Sequence, residues 1–154
     1  MTVKLNSYIS FNGNAREAME FYRSVFGGEA FYDTFGRHES PEMPVQPEDR
    51  DKIMHAFLKG DFIELMGADT PAGMVYHDGA RISLTVNGDD EPVLRSYWEK
   101  LSSSGTVTVP LAKSPWGDTF GMLTDKYGVE WMVDIGPVQG EQPVAPAQPA
   151  TTGL

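Results

Sequence analysis

The chain has 154 residues, with 22 acidic against 12 basic side chains and a formal net charge of −10. That length suits one domain able to bury roughly 70% of its unfolded surface, and the charge repels polyanions, which excludes the basic footprint of a nucleic-acid binder. There is no cysteine, so disulfides, thiolate metal sites and cysteine nucleophiles are excluded, and a reducing compartment is expected.

The start, MTVKLNSYIS, has no basic region followed by a signal-like apolar run. No later stretch approaches the ~20 apolar residues of a membrane span, so the expectation is a cytoplasmic protein without a membrane partner. The first β-type run is LNSYISF. Asn14 and Glu17 then stand at capping-box spacing, each able to meet the other's backbone amide. Ala18, Phe21, Tyr22 and Val25 follow as one helical stripe and Gly27-Gly28 closes it, which predicts a helix over 15–26.

After it come the strand EAFYDTF and a loop over 36–51 that is acidic and carries Pro41, Pro44 and Pro47. A loop of that length is either a lid or binding loop, or a surface insertion. Two strands follow, KIMHAFLKG and DFIELMG, joined at Lys59-Gly60-Asp61.

The order then repeats. ARISLTV alternates Ile82, Leu84 and Val86 against Arg81, Ser83 and Thr85. Asp89 or Asp90 caps a second helix with Pro92 in its first turn, a stripe at Leu94, Tyr97, Trp98 and Leu101, and a stop at Ser102-Ser103-Ser104-Gly105. TVTVPLA, DTFGMLTD and VEWMVDI complete it, the last two joined through Asp125-Lys126-Tyr127-Gly128. Both halves read βαβββ, an internal duplication in one α+β domain over 1–136, with modules of about 1–76 and 77–136. The Pro-, Ala- and Gln-rich remainder, 137–154, reads as a flexible tail.

Chemistry-bearing residues are few. Glu64 is an acid inside the apolar strand Phe62-Ile63-Glu64-Leu65-Met66, where a buried charge must be paired, bonded or protonated; the alternative is that it faces solvent. His55 lies on a strand, where it is either a base or orienting donor in a pocket, or a histidine satisfied by a neighbouring carbonyl. His38 and His77, in loops beside Glu39 and Asp78, read as surface residues. Trp116, Phe11, Phe120 and Met122 are candidate pocket walls, and core packing is the competing reading for most of them. No nucleophile has a visible base partner. Neither Gly27-Gly28 nor Phe11-Asn12-Gly13-Asn14 has phosphate-loop spacing, so no cofactor is expected.

The runs YISFNGNAREAMEFYRSVFGGE, MHAFLKGDFIELMGAD and SPWGDTFGMLTDKYGVEW together resemble the PhnB-like branch of the vicinal-oxygen-chelate superfamily, which also holds glyoxalases, bleomycin-resistance proteins and dioxygenases. The resemblance covers about residues 3 to 136. It implies two βαβββ modules whose sheets curl around a concave pocket, usually in a homodimer. Names carried by some relatives, phosphonate metabolism or ubiquinone methylation, do not establish an activity. In metal-using members four ligands come from the first and last strands of the two modules, and the resemblance carries these onto Ser7, Glu64, Arg81 and Met132.

Only Glu64 is an ordinary ligand, and Arg81 is a permanent cation. Shifting each strand by one residue nominates Asn6 or Tyr8, Ala80 or Ile82, and Trp131 or Val133, which is no better. The expectation is a homodimer whose metal-free pocket binds a small, partly apolar molecule, with Arg81 taking the place of the metal and pairing with Glu64. The rivals are a metal-dependent lyase, isomerase or dioxygenase using Glu64 and His55 around a divalent ion, and a drug-sequestering protein whose acidic groove holds a cation.

Overall fold

The computed structural model describes residues 6–76, 79, 82–115 and 117–137. The chain divides into two compact units, Met1–Gly79 and Ala80–Leu154. In the first, β1 (Ser7–Phe11), α1 (Ala15–Phe26), β2 (Glu29–Thr34), β3 (Ile53–Lys59) and β4 (Glu64–Asp69) make a four-stranded sheet in the order β1-β4-β3-β2. In the second, β5 (Leu84–Gly88), α2 (Glu91–Ser102), β6 (Thr106–Lys113), β7 (Thr119–Thr124) and β8 (Glu130–Ile135) repeat it as β5-β8-β7-β6. Each sheet is mixed: the first and last strands of a module run parallel and the other pairs antiparallel. The α+β βαβββ duplication read from the sequence is the fold.

One face of each sheet is covered by its helix. In the first unit Ala15, Ala18, Met19, Tyr22 and Val25 of α1 are buried with Phe11, Ala56, Leu58 and Leu65 of the strands, so the helical stripe meets every second strand residue. In the second, Leu94 packs with Val133 and Ile135, flanked by Val86, Tyr97, Trp98 and Leu111. Gly121 admits the Trp98 ring, since a Cβ there would stand 2.7 Å from the indole.

The capping box does not form. Asn14 makes no side-chain cap bond. The N-terminus of α1 is instead met from β4 by the buried Asp69 carboxylate, whose Oδ1 accepts from the amides of Gly13 (3.0 Å) and Ala15 (2.9 Å), while Oδ2 accepts from Ile53 (2.9 Å). A carboxylate 54 residues downstream satisfies the orphan amides and places negative charge at the positive helix end, which a local motif search does not see. In α2 the expected cap holds: Asp90 accepts from Val93.

The 36–51 segment contains two short 3-10 turns, Gly36–His38 and Pro47–Asp49. It is tied at its base by Phe35 donating to Lys52 O and Gly36 donating to Arg50 O. Asp49 fixes its far end, accepting from Ala72 with both oxygens and pairing with Lys52 Nζ at 2.9 Å. That ammonium holds the Asp49 carboxyl below its ordinary range. Ile82, expected in the fifth strand, precedes it and is 81% exposed. Residues 138–154 of the expected tail, and His77, lie outside the described residues.

Candidate functional site

The face of each sheet turned away from its helix carries the chemistry. Strand alternation and register define what lies on it. In the first unit Phe31 stands opposite Phe57, Phe57 opposite Met66, and Met66 beside Tyr8, so an apolar, mostly aromatic row crosses all four strands. Phe31 and Tyr8 remain 55% and 54% exposed.

A polar row flanks it on either side. On one side Glu29 is the register partner of Lys59 and Lys59 that of Glu64, so a basic residue stands between two acidic ones along the row. On the other, Asp33 pairs with His55, and Ser10 neighbours Ala68. His55 is exposed, and its ring stacks with that of Tyr8 at a centroid distance of 6.0 Å and an interplanar angle of 29°. Asp33 also accepts from His38 Nε2 at 2.5 Å, with Arg37 Nη1 3.9 Å from its other oxygen. The hydrogen bond from His38 leads in holding the Asp33 carboxyl below the usual carboxylate range.

The expected site residues divide on this frame. His55 and Glu64 lie on the open face of the first sheet. Ser7 does not: it shares the helix side with Ile9 and Phe11, and Tyr8 takes the open position on β1. Phe11 is 1% exposed and belongs to the core, so it is no pocket wall.

In the second unit Phe120, Met122 and Met132 are half-buried on the open face, with Met122 opposite Met132 and Met132 beside Thr85. Met132 is not the counterpart of Glu64. The amide of Thr70 donates to Phe11 O and that of Gly136 to Gly88 O, each at 2.8 Å, and these matching closures superpose Glu64 on Glu130. Glu130 accepts from Ser83 Oγ at 3.1 Å. Arg81 and Trp116 lie outside the described residues, and with Arg81 the proposed pairing to Glu64.

Sequence reading named Tyr8 only as a one-residue shift of Ser7, and it missed Asp33, Glu130 and a carboxyl pair, Asp118 and Asp134. Asp134 stands between Asn87 and Phe120 on the open face of the second sheet. Burial, then the charge of Asp118 and a hydrogen bond shared with it, pushes the Asp134 carboxyl up. Asp118 is presented by a tight loop in which Ser114 donates to its carbonyl through both N and Oγ at 2.7 Å. Gly136 leaves it room, as a Cβ there would fall 2.3 Å from Asp118 Oδ1.

Neither of two groups implied by the fold or by relatives' names, a divalent ion and an anion, fits these residues. A divalent ion does not fit the expected quartet: Ser7 is on the wrong face, Met132 offers a thioether that a hard cation rejects, and among the described residues no three His, Asp or Glu side chains are grouped to hold a metal. An anionic group does not fit the N-terminus of α1, because Asp69 already occupies its amides. A depression of about 230 Å³ lined by Ser10, Asp69, Thr70, Pro71, Met74 and Val75 is smaller than the 300–1,000 Å³ typical of ligand pockets. No helix among the described residues is long and apolar enough to cross a membrane.

The family model of 3-demethylubiquinone-9 3-methyltransferase matches residues 3–134. Protein PA1353 from Pseudomonas aeruginosa is 31% identical, with a TM-score of 0.76 over 89% of this chain and 100% of that one. A PhnB protein from Bacillus cereus is 26% identical, with a TM-score of 0.69 over 87% of this chain and 100% of its own. A glyoxalase/bleomycin resistance protein/dioxygenase family enzyme from Burkholderia phytofirmans shares the fold at 13% identity, with a TM-score of 0.56 over 84% and 96% of the two chains. The chain therefore belongs to the 3-demethylubiquinone-9 3-methyltransferase family, together with the PhnB protein, and shares its fold with the glyoxalase/bleomycin resistance/dioxygenase enzyme.

Proposed function

We propose that this protein binds a small, partly apolar molecule on the open face of its first sheet, as a homodimer and without a divalent metal. The observation that carries this reading is the row Phe31, Phe57, Met66 and Tyr8, with its two end aromatics more than half exposed. Large side chains on every second residue of a sheet bury themselves unless something else covers them. The polar rows on either side give a ligand orientation: Lys59 between Glu29 and Glu64, and His55 opposite Asp33. A few convergent polar groups around an apolar floor are the usual composition of a small-molecule site.

The metal-dependent rival is separated by two readouts on untagged protein purified without added metal. The expected result is substoichiometric nickel, zinc, manganese and iron, and a melting temperature shifted by less than about 1 °C on adding each; saturation at 100 times a dissociation constant would contribute about 2.7 kcal/mol. Near-stoichiometric metal that is lost in Glu64→Ala would sink the metal-free reading and make the protein an enzyme in search of its substrate.

A further inference from the structure

His38 is exposed, as the sequence reading has it, and its ring meets a carboxylate of the open face, that of Asp33. Asp33 is on the exposed side of β2, directly opposite His55 on β3, and cross-strand neighbours of this kind have Cβ atoms about 4.5–5.5 Å apart. The His38 ring reaches back five residues to that carboxylate through Nε2. The turn carrying it is fixed: Phe35 and Gly36 donate to the carbonyls of Lys52 and Arg50 just before β3, His38 donates to Phe35 O, and a Cβ on Gly36 would meet Arg50 O at 2.9 Å.

We propose that Asp33 and His38 form a general-base dyad at the β2 edge of the open face, with His38 Nδ1 taking a proton from a carbon or oxygen acid held over the aromatic row. This rests on the binding reading above. A carboxylate accepting from Nε2–H selects the tautomer whose Nδ1 lone pair is free, and it stabilises the imidazolium formed when Nδ1 takes the proton. The substrate keeps the electron pair, and the proton returns from Nδ1 to product or to water, so no other reactant is required. His38 is the base and Asp33 its positioning residue. An ordinary surface ion pair would give the same distance; what separates the two readings is the chemistry of Nδ1.

The probe is 5-nitrobenzisoxazole, a planar carbon acid. Its ring proton passes to Nδ1, the C–H electron pair enters a nitrile as the N–O bond breaks, and the oxygen leaves as a coloured 2-cyano-4-nitrophenolate. The second-order rate constant of the full chain at pH 7 is expected to exceed that of free imidazole by at least about tenfold. It should fall to the imidazole level in His38→Gln, and by about tenfold in Asp33→Asn, part of the gain of a positioned base.

Long-range proton–nitrogen spectra should show His38 protonated at Nε2 and bare at Nδ1 in the parent, and a tautomer mixture in Asp33→Asn. Melting curves show that the variants are folded. A rate no greater than imidazole, a rate that survives His38→Gln, or a protonated Nδ1 in the neutral ring overturns the dyad. Binding of a neutral apolar dye to the open face is measured separately, so a dyad that fails while the dye still binds leaves the binding reading standing.

Discussion

Replacing Asp69 by alanine is expected to lower the melting temperature by about 10–20 °C, the largest effect of any single carboxylate substitution in the first unit. The carboxylate is 5% exposed and accepts from three backbone amides: two at the start of α1 and one at the start of β3. Removing it leaves buried donors unmet, at about 1–3 kcal/mol each, and deletes the anion at the helix N-terminus. Those three amides belong to the β1–α1 turn and to the strand entering after the long 36–51 segment, so one side chain braces three elements.

Asp69→Asn discriminates the cause. Its remaining oxygen can serve Gly13 and Ala15, but its amide group would face the Ile53 amide, donor against donor. About half the loss is therefore expected. Thermal or urea unfolding checks both variants, and a melting temperature within about 2 °C of the parent for Asp69→Ala would contradict this account of the fold.

Asp134→Asn is expected to act in the opposite direction and to depend on pH. Burial leads, and Asp118 adds, in raising the Asp134 carboxyl above its ordinary value. A carboxyl whose folded value lies above its unfolded one contributes stability that is fully present below the unfolded value, near pH 4, and is lost as pH rises through the folded value. At neutral pH the ionised group is a net cost, with one of its oxygens buried and without a hydrogen-bond partner among the described residues.

Asparagine imitates the protonated form and can donate to Asp118. The melting temperature should therefore rise by about 2–4 °C at pH 7 and change little at pH 4. A fall at pH 7, or a difference independent of pH, would mean that Asp118 and Asp134 are held apart in solution.

Where periodicity carried the signal, the fold was readable. Ala15–Phe26 forms as the stripe from Ala18 to Val25 requires, and Asp90 caps the second helix. The two glycine-bearing turns join the strands they were expected to join. What escaped is non-local. Asn14 and Glu17 have capping-box spacing, but the acceptor that caps the helix is on β4, and chain spacing holds no trace of it.

The site was less legible, because alternation reports two faces without saying which one the helix takes. A one-residue difference in β1 puts Tyr8 rather than Ser7 on the open face. Asp33 and His38 sit five residues apart across a strand end and a 3-10 turn, a spacing that has no periodic signature. Glu130 could have been found, since the YGVEW run places an acid at the start of the last strand as DFIEL does in the first module. The resemblance instead carried that position onto Met132.

The most direct test of the binding site is a titration of the full chain with Nile red, a neutral dye that the charge of −10 does not repel. The parent is compared with the double variant Tyr8→Ser and Phe31→Ser. Both side chains are more than half exposed, so the melting temperature should change by less than about 3 °C, while dye affinity falls by at least about tenfold through loss of apolar contact. Unchanged affinity in a folded double variant would contradict the assignment of the site to the open face of the first sheet.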